Sequence, residues 1–160
     1  MGSNARDILR DEHRTLESLF RRFDEVDVGA REDVAEAALL KLEVHSNVEE
    51  DVIYPTIRAA IADKDMIDEA IEEHHAMSLL ARELRKLPAS DPRYKAKFHV
   101  LAKFVSRHLE EEEQRTFPEA ENAGLDWSAL TLKKAAEVGD KVITQQLTAK
   151  QESSAARTHT

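Results

Sequence analysis

Four histidines and two glutamates recur in one fixed order, written once in each half of the chain: His13 followed by His45-x-x-x-Glu49, then His74 followed by His108-x-x-x-Glu112. Imidazole and carboxylate without thiolate are the donors of iron, manganese and zinc sites. A doubled set of this kind spells a site for two metal ions. Each HisxxxGlu motif is also trailed by an aromatic-proline pair, Tyr54-Pro55 and Phe117-Pro118.

Residues four apart on an α-helix lie about 40° apart on one face, so His45 with Glu49, and His108 with Glu112, can each grip one ion. His13 and His74 must then come from two further helices facing the same interior. The apolar seams agree: Leu9, His13, Leu16, Phe20, Phe23 in the first segment; Ala35, Ala38, Leu42, His45, Glu49, Val52 in the second. The third gives Ile67, Ala70, His74, Met77, Leu84, and the fourth Leu101, Val105, His108, Glu112. Every candidate ligand sits on its helix's apolar seam. A carboxylate there costs several kcal/mol unless a cation compensates it. The bland alternative is a buried polar network of the same residues without metal. A ferritin-like di-iron site needs Glu-x-x-His on two helices, and only Glu72 with His75 has that spacing.

The elements that must carry these residues are helices. The chain has 160 residues, four glycines, four prolines and no cysteine, enough for one helical domain over 1–150 with a polar, disordered tail over 151–160. Helix one is expected from about Asn4 to Val26, and helix two from Asp33 to about Tyr54, where Pro55 should kink or end it. Thr56 to Ala62 is expected to continue as another helical turn. Helix three runs from Asp65 to about Leu87, and helix four from Arg93 to Phe117, stopped by Pro118. A shorter helix from Ser128 to Leu147 packs across through Trp127, Leu130 and Leu132. The fold class is therefore all-α, an up-down four-helix bundle with an additional C-terminal helix. The halves are offset by 61 residues at His13/His74 and by 63 at His45/His108. A formal net charge of −9 argues against nucleic acid or an anionic membrane as partner. No signal-peptide core precedes the domain, and a cytoplasmic location is expected.

At this point the chain resembles the hemerythrin-like, or HHE cation-binding, family over residues 7 to 120. The ordered set His13, His45, Glu49, His74, His108, Glu112 and the two aromatic-proline pairs carry the resemblance. It implies two iron ions with oxo or hydroxo bridges, the four histidines as terminal ligands and the two glutamates as bridges; manganese or zinc would suit the donors less well. Oxygen-carrying hemerythrins have a further histidine four residues from the one on helix three. Here those positions are Ala70 and Ser78. They also place the helix-four acid at plus five, and Glu113 is available there, but Glu112 lies on the ideal face.

One histidine fewer leaves a coordination position for solvent, substrate or another side chain. Tyr54, whose counterpart is Phe117, is the candidate. An ideal helix points it away from His45, with its hydroxyl at the surface, whereas a bulge at Pro55 would turn it inward. His75, His99 and His159 share no ligand face, and Glu50 and His75 are expected to be dispensable for metal. The leading functional expectation is a redox-active di-iron protein that reacts with peroxide, dioxygen or nitric oxide at an open iron position, with an external electron donor where the chemistry needs one. The competing class is a non-enzymatic carrier or sensor of oxygen, nitric oxide or iron.

Overall fold

A computed structural model describes residues 4–127 and 132–157. Among these every regular element is helical. The helices are α1 (Ala5–Glu25), α2 (Arg31–Val48), α3 (Tyr54–Ala60), α4 (Asp65–Lys86), α5 (Pro92–Glu111), α6 (Phe117–Asn122) and α7 (Leu132–Arg157). Local chemistry sets their starts. The Asn4 side chain accepts from the Asp7 amide at 3.0 Å. Asp91 does the same for Arg93 at 2.8 Å, with Pro92 supplying a preset φ at the first position of α5.

Pro118 does not stop its helix, contrary to the expectation from sequence, and of the two outcomes expected at Pro55, a kink or an end, the chain does not end its helical course there. A single π-helical turn, Glu49–Ile53, joins α2 to α3, and another, Glu112–Thr116, joins α5 to α6. The Tyr54 amide reaches back to the Glu49 carbonyl and the Phe117 amide to that of Glu112. Each proline then stands in the first turn of the next α-helix, where the donor it lacks is not missed. The chain therefore passes each proline as a wide turn rather than a break.

The apolar seams pack into two clusters. One contains Leu16, Phe20, Phe23, Leu42, Met77, Phe98 and Val105, with Phe98 stacked 4.0 Å from Phe23. The other contains Leu9, Val52, Tyr54, Ile57, Ala70, Phe117 and Trp127. Helices α1 and α4 run from the second cluster to the first, while α2 and α5 run the opposite way. On all four, the residues between the clusters are the histidines and glutamates singled out above. Burying each large apolar side chain contributes roughly 1.5–3 kcal/mol, and the two clusters together carry the polar waist between them.

The C-terminal helix is not short. It is the longest element, it packs along α2, and it continues to Arg157 through the segment from Gln151 that was expected to be disordered. Alanine, lysine, glutamine and glutamate dominate α7 as a whole and no proline interrupts it through Arg157, so propensity alone favours extension. Its one glycine, Gly139, is buried; a Cβ there would lie 3.4 Å from Val44 on α2. Trp127 is buried as expected, edge-on to Phe117. Leu130 and His159 lie outside the described residues, as does the side chain of Leu132. Among the described residues no helix is long and apolar enough to cross a membrane.

Candidate metal centre

The waist brings together all six residues of the doubled motif, each buried. α1 delivers His13, α2 His45, α4 His74 and α5 His108, while Glu49 and Glu112 open the two π-helical turns. Each carboxylate faces two ways. Glu49 Oε1 lies 3.0 Å from His45 Nε2 and 3.8 Å from His13 Nε2, and its Oε2 lies 3.1 Å from His74 Nε2. Glu112 Oε2 lies 3.3 Å from His13 Nε2, and its Oε1 lies 3.7 Å from His108 Nε2. The donors thus fall into two groups, His13, His45, Glu49 and Glu112 on one side and Glu49, His74 and His108 on the other, with the donor atoms of each group within 4.8 Å of one another.

Tyr54 belongs to the second side. It is 1 % exposed, which corrects the surface placement that an ideal helix gives. Five α-helical residues after Glu49 would turn it some 140° away; the π-helical turn inserts one extra residue and brings it back over the glutamate. Its hydroxyl lies 2.5 Å from Glu112 Oε1, 3.1 Å from Glu49 Oε2, 3.2 Å from His74 Nε2 and 3.3 Å from His108 Nε2. Phe117, after the matching turn, stacks 5.8 Å from His13 on the other side. The aromatic of each half therefore covers histidines of the other.

The chemistry of this donor set fits cations. His13 Nε2, His45 Nε2, Glu49 Oε1 and Glu112 Oε2 are buried with no hydrogen-bond partner. Buried polar atoms are rarely left so. On the other side the Nε2 atoms of His74 and His108 face each other at 2.9 Å, and one phenolic proton cannot serve them and two carboxylates at once. Positive charge is what all these atoms require. Burial opposes an imidazolium at His13, yet Glu112 and Glu49 outweigh it and raise the group to about 10. Burial likewise opposes, and Glu49 and Glu12 overcome it, at His45, raised to about 9. Glu112, Glu49 and Glu73 do the same at His108, raised to about 10. At Glu49 the penalty of burial is outweighed by His45, His108 and His13, which hold its carboxyl well below the usual range. Burial first, and then Glu112 and Glu49, push the Tyr54 phenol up. A metal ion on each side would satisfy the same atoms without the protons.

Three further glutamates bond the outer nitrogens of the histidines and a fourth approaches one, and spacing arguments did not find them. Glu113 meets His13 Nδ1 at 2.9 Å, Glu50 meets His74 Nδ1 at 2.9 Å and Glu73 meets His108 Nδ1 at 2.5 Å. Glu12 approaches His45 Nδ1 at 3.8 Å while accepting from Lys41 Nζ at 2.7 Å. Glu50, expected to be dispensable, therefore touches a residue of the doubled motif. The available signal was adjacency: each is the immediate neighbour of a motif residue, as Glu12-His13, Glu49-Glu50, Glu73-His74 and Glu112-Glu113. His75 is exposed on the flank of α4, on the wall of a cleft between α2 and α4 and outside both donor groups, and His99 pairs with Asp24 at 2.9 Å, away from the site.

A cleft of about 480 Å³ between α2 and α4 reaches the waist from outside, lined among others by Ser46, Glu50, His74, Met77, Ser78 and Arg82.

Helices carrying His, HisxxxGlu, His, HisxxxGlu into one buried waist define a class of helical cation-binding protein. The model of the hemerythrin HHE cation-binding domain matches residues 4–120, and the chain belongs to that family. The uncharacterized protein Rv2633c of Mycobacterium tuberculosis is 29% identical over 117 residues, covering 72% of this chain and 71% of that one. A DNA nickase of Nostoc is 26% identical over 120 residues, 74% of this chain but 34% of the nickase. The crystal structure of a hemerythrin HHE cation-binding-domain protein from Mycobacterium kansasii, a homolog of Rv2633c, superposes with a TM-score of 0.70 at 24% identity. That match covers 94% of this chain and 90% of the other, and the likeness is one of fold.

Proposed function

We propose that this chain is a non-haem di-iron protein, built as an up-and-down four-helix bundle with α7 laid along α2, that reacts with peroxide, dioxygen or nitric oxide at an open iron position. The support is the placement of the two carboxylates, each with one oxygen toward His13 and the other toward the His74 and His108 side. Glu49 and Glu112 would bridge two ions, His13 and His45 would hold one, and His74 and His108 the other with Tyr54. Nitrogen and oxygen donors with bridging carboxylates suit iron. Bound iron would supply Lewis acidity and a change of oxidation state.

The chain's own contribution is binding, orientation and proton placement. The two apolar clusters close the waist above and below and keep bulk water from the carboxylates. The cleft between α2 and α4 admits a small molecule to the His74 side. Without metal the Tyr54 hydroxyl donates to Glu112 Oε1 at 2.5 Å, and this is the proton that the phenol would give up on joining the ion at that side. Dismutation of peroxide needs no outside reductant, because two peroxides yield two waters and one dioxygen; nitric oxide reduction requires an external donor.

The test combines metal analysis, an optical spectrum and an oxygen electrode before and after peroxide is added to the purified protein. Two irons per chain, a spectral change and evolution of dioxygen are expected. Two irons with a reversible spectral change and no consumption would instead make the chain a carrier, and protein that takes up no iron would overturn the proposal. Tyr54→Phe refines it: iron content is expected to stay at the parental level while any phenolate-to-iron band disappears. An unchanged visible spectrum would take the phenol off the metal.

A further inference from the structure

The outer glutamates follow a closed rotation. Glu12 of α1 faces His45 of α2, Glu50 at the end of α2 faces His74 of α4, Glu73 of α4 faces His108 of α5, and Glu113 at the end of α5 faces His13 of α1. Each helix thus supplies a carboxylate to the histidine of the next, and the fourth returns to the first. The arrangement repeats with the internal symmetry of the chain: Glu12 and Glu73 are 61 residues apart, like His13 and His74, and Glu50 and Glu113 are 63 apart, like His45 and His108. None of the four is itself a member of the inner donor groups.

We propose that Glu12, Glu50, Glu73 and Glu113 are positioning residues forming an outer ring that turns the Nε2 atom of all four histidines toward the bound cations. The inference rests on the metal reading above and adds residues that the doubled motif leaves out. A carboxylate at Nδ1 holds the ring proton there, which leaves the Nε2 lone pair for the ion, fixes the plane of the imidazole and makes it a stronger donor. His13, His74 and His108 show the required polarity, with Nδ1 bonded to the outer glutamate and Nε2 toward Glu49 or Glu112, while at His45 Nε2 faces Glu49 and Nδ1 lies 3.8 Å from Glu12. Because every link crosses from one helix to the next, the ring also couples the four helices at the level of the site.

The links are unequal. Glu113, Glu50 and Glu73 lie within hydrogen-bond distance of their histidines, whereas Glu12 is shared with Lys41 and stands 3.8 Å from His45. Loss of Glu12 should therefore cost least.

The experiment is ferrous-ion titration of full-length protein against a competing chelator, with circular dichroism to verify folding. Glu50→Ala, Glu73→Ala and Glu113→Ala are expected to weaken binding about 10–100-fold each, Glu12→Ala less, and the exposed Glu110→Ala not at all. Glu73→Gln and Glu113→Gln keep an acceptor for the Nδ1 proton. They should keep the fold even if an alanine variant loses it, recover most of the affinity, and raise the reduction potential of the loaded site because the imidazole loses its anionic partner. Parental affinity and potential in the Glu50, Glu73 and Glu113 variants would overturn the ring while leaving the metal reading intact. A parent protein that binds no metal would overturn both.

Discussion

Glu49→Ala and Glu112→Ala each lose metal from both sides of the site, so that dialysed, folded protein retains well under one ion per chain where the parent retains two. The expectation follows from position. Both carboxylates are buried; Glu49 belongs to both donor groups, and Glu112, a donor of the first, turns its other oxygen toward His108 at 3.7 Å, so either substitution disturbs both sides. The loss is also one of charge. With one carboxylate gone, two cations and four imidazoles share a waist enclosed by apolar clusters, and breaking a buried ion pair by deleting one partner costs about 3–5 kcal/mol. At about 1.4 kcal/mol for each tenfold, the affinity falls at least a hundredfold. Metal analysis of gel-filtered protein checks it, with His75→Ala as the variant that keeps its metal because that side chain is exposed on the flank of α4. Parental metal content in both glutamate variants would remove them from the ligand set.

What the sequence disclosed and what it concealed divide along one physical line. Periodicity on a straight helix was enough to place Leu9, His13 and Leu16 on one seam and His45 with Glu49 on another, because those spacings stay within regular α-helix. The course of the chain past Pro55 and Pro118 was not legible in the same way. Proline reads as a breaker, yet a π-helical turn absorbs it by moving the missing donor into the first turn of the next helix. That single inserted residue also decides where Tyr54 points. The outer glutamates were hidden for a related reason: Glu50 and Glu113 lie about 100° from the inner face of their own helices, and only the neighbouring helix shows what they touch. The length of α7 was missed because a polar sequence without proline can be a tail or a helix; α7 packs along α2 upstream, and beyond Gln151, where the described residues are exposed, helix propensity carries it on.

Removing the metal is expected to reverse how stability depends on pH. In metal-free protein the positive charge demanded by Glu49 and Glu112 resides on imidazolium groups, with His13 and His108 raised to about 10 and His45 to about 9 from an ordinary 6.5. A group whose pKa is higher folded than unfolded stabilises the fold fully below its unfolded value, and that contribution is lost as pH rises through the folded value. The metal-free chain therefore loses stability progressively from about pH 6.5 toward 10. Glu49, held below the usual 4.5, acts oppositely and loses its contribution as pH falls through the acid range, so the optimum lies between the two. Bound cations change the sign on the alkaline side, because Nε2 must shed its proton to coordinate and protons compete with metal. Melting temperatures measured with chelator should drop by more than about 4 °C between pH 6.5 and 9, a loss exceeding about 1 kcal/mol for a chain of this size, while those of metal-loaded protein hold or rise. Parallel pH profiles with and without metal would mean that the cations do not replace protons on these histidines. The donors would then be arranged for a buried proton network, and the carboxylates facing both ways would have to be explained by hydrogen bonding alone.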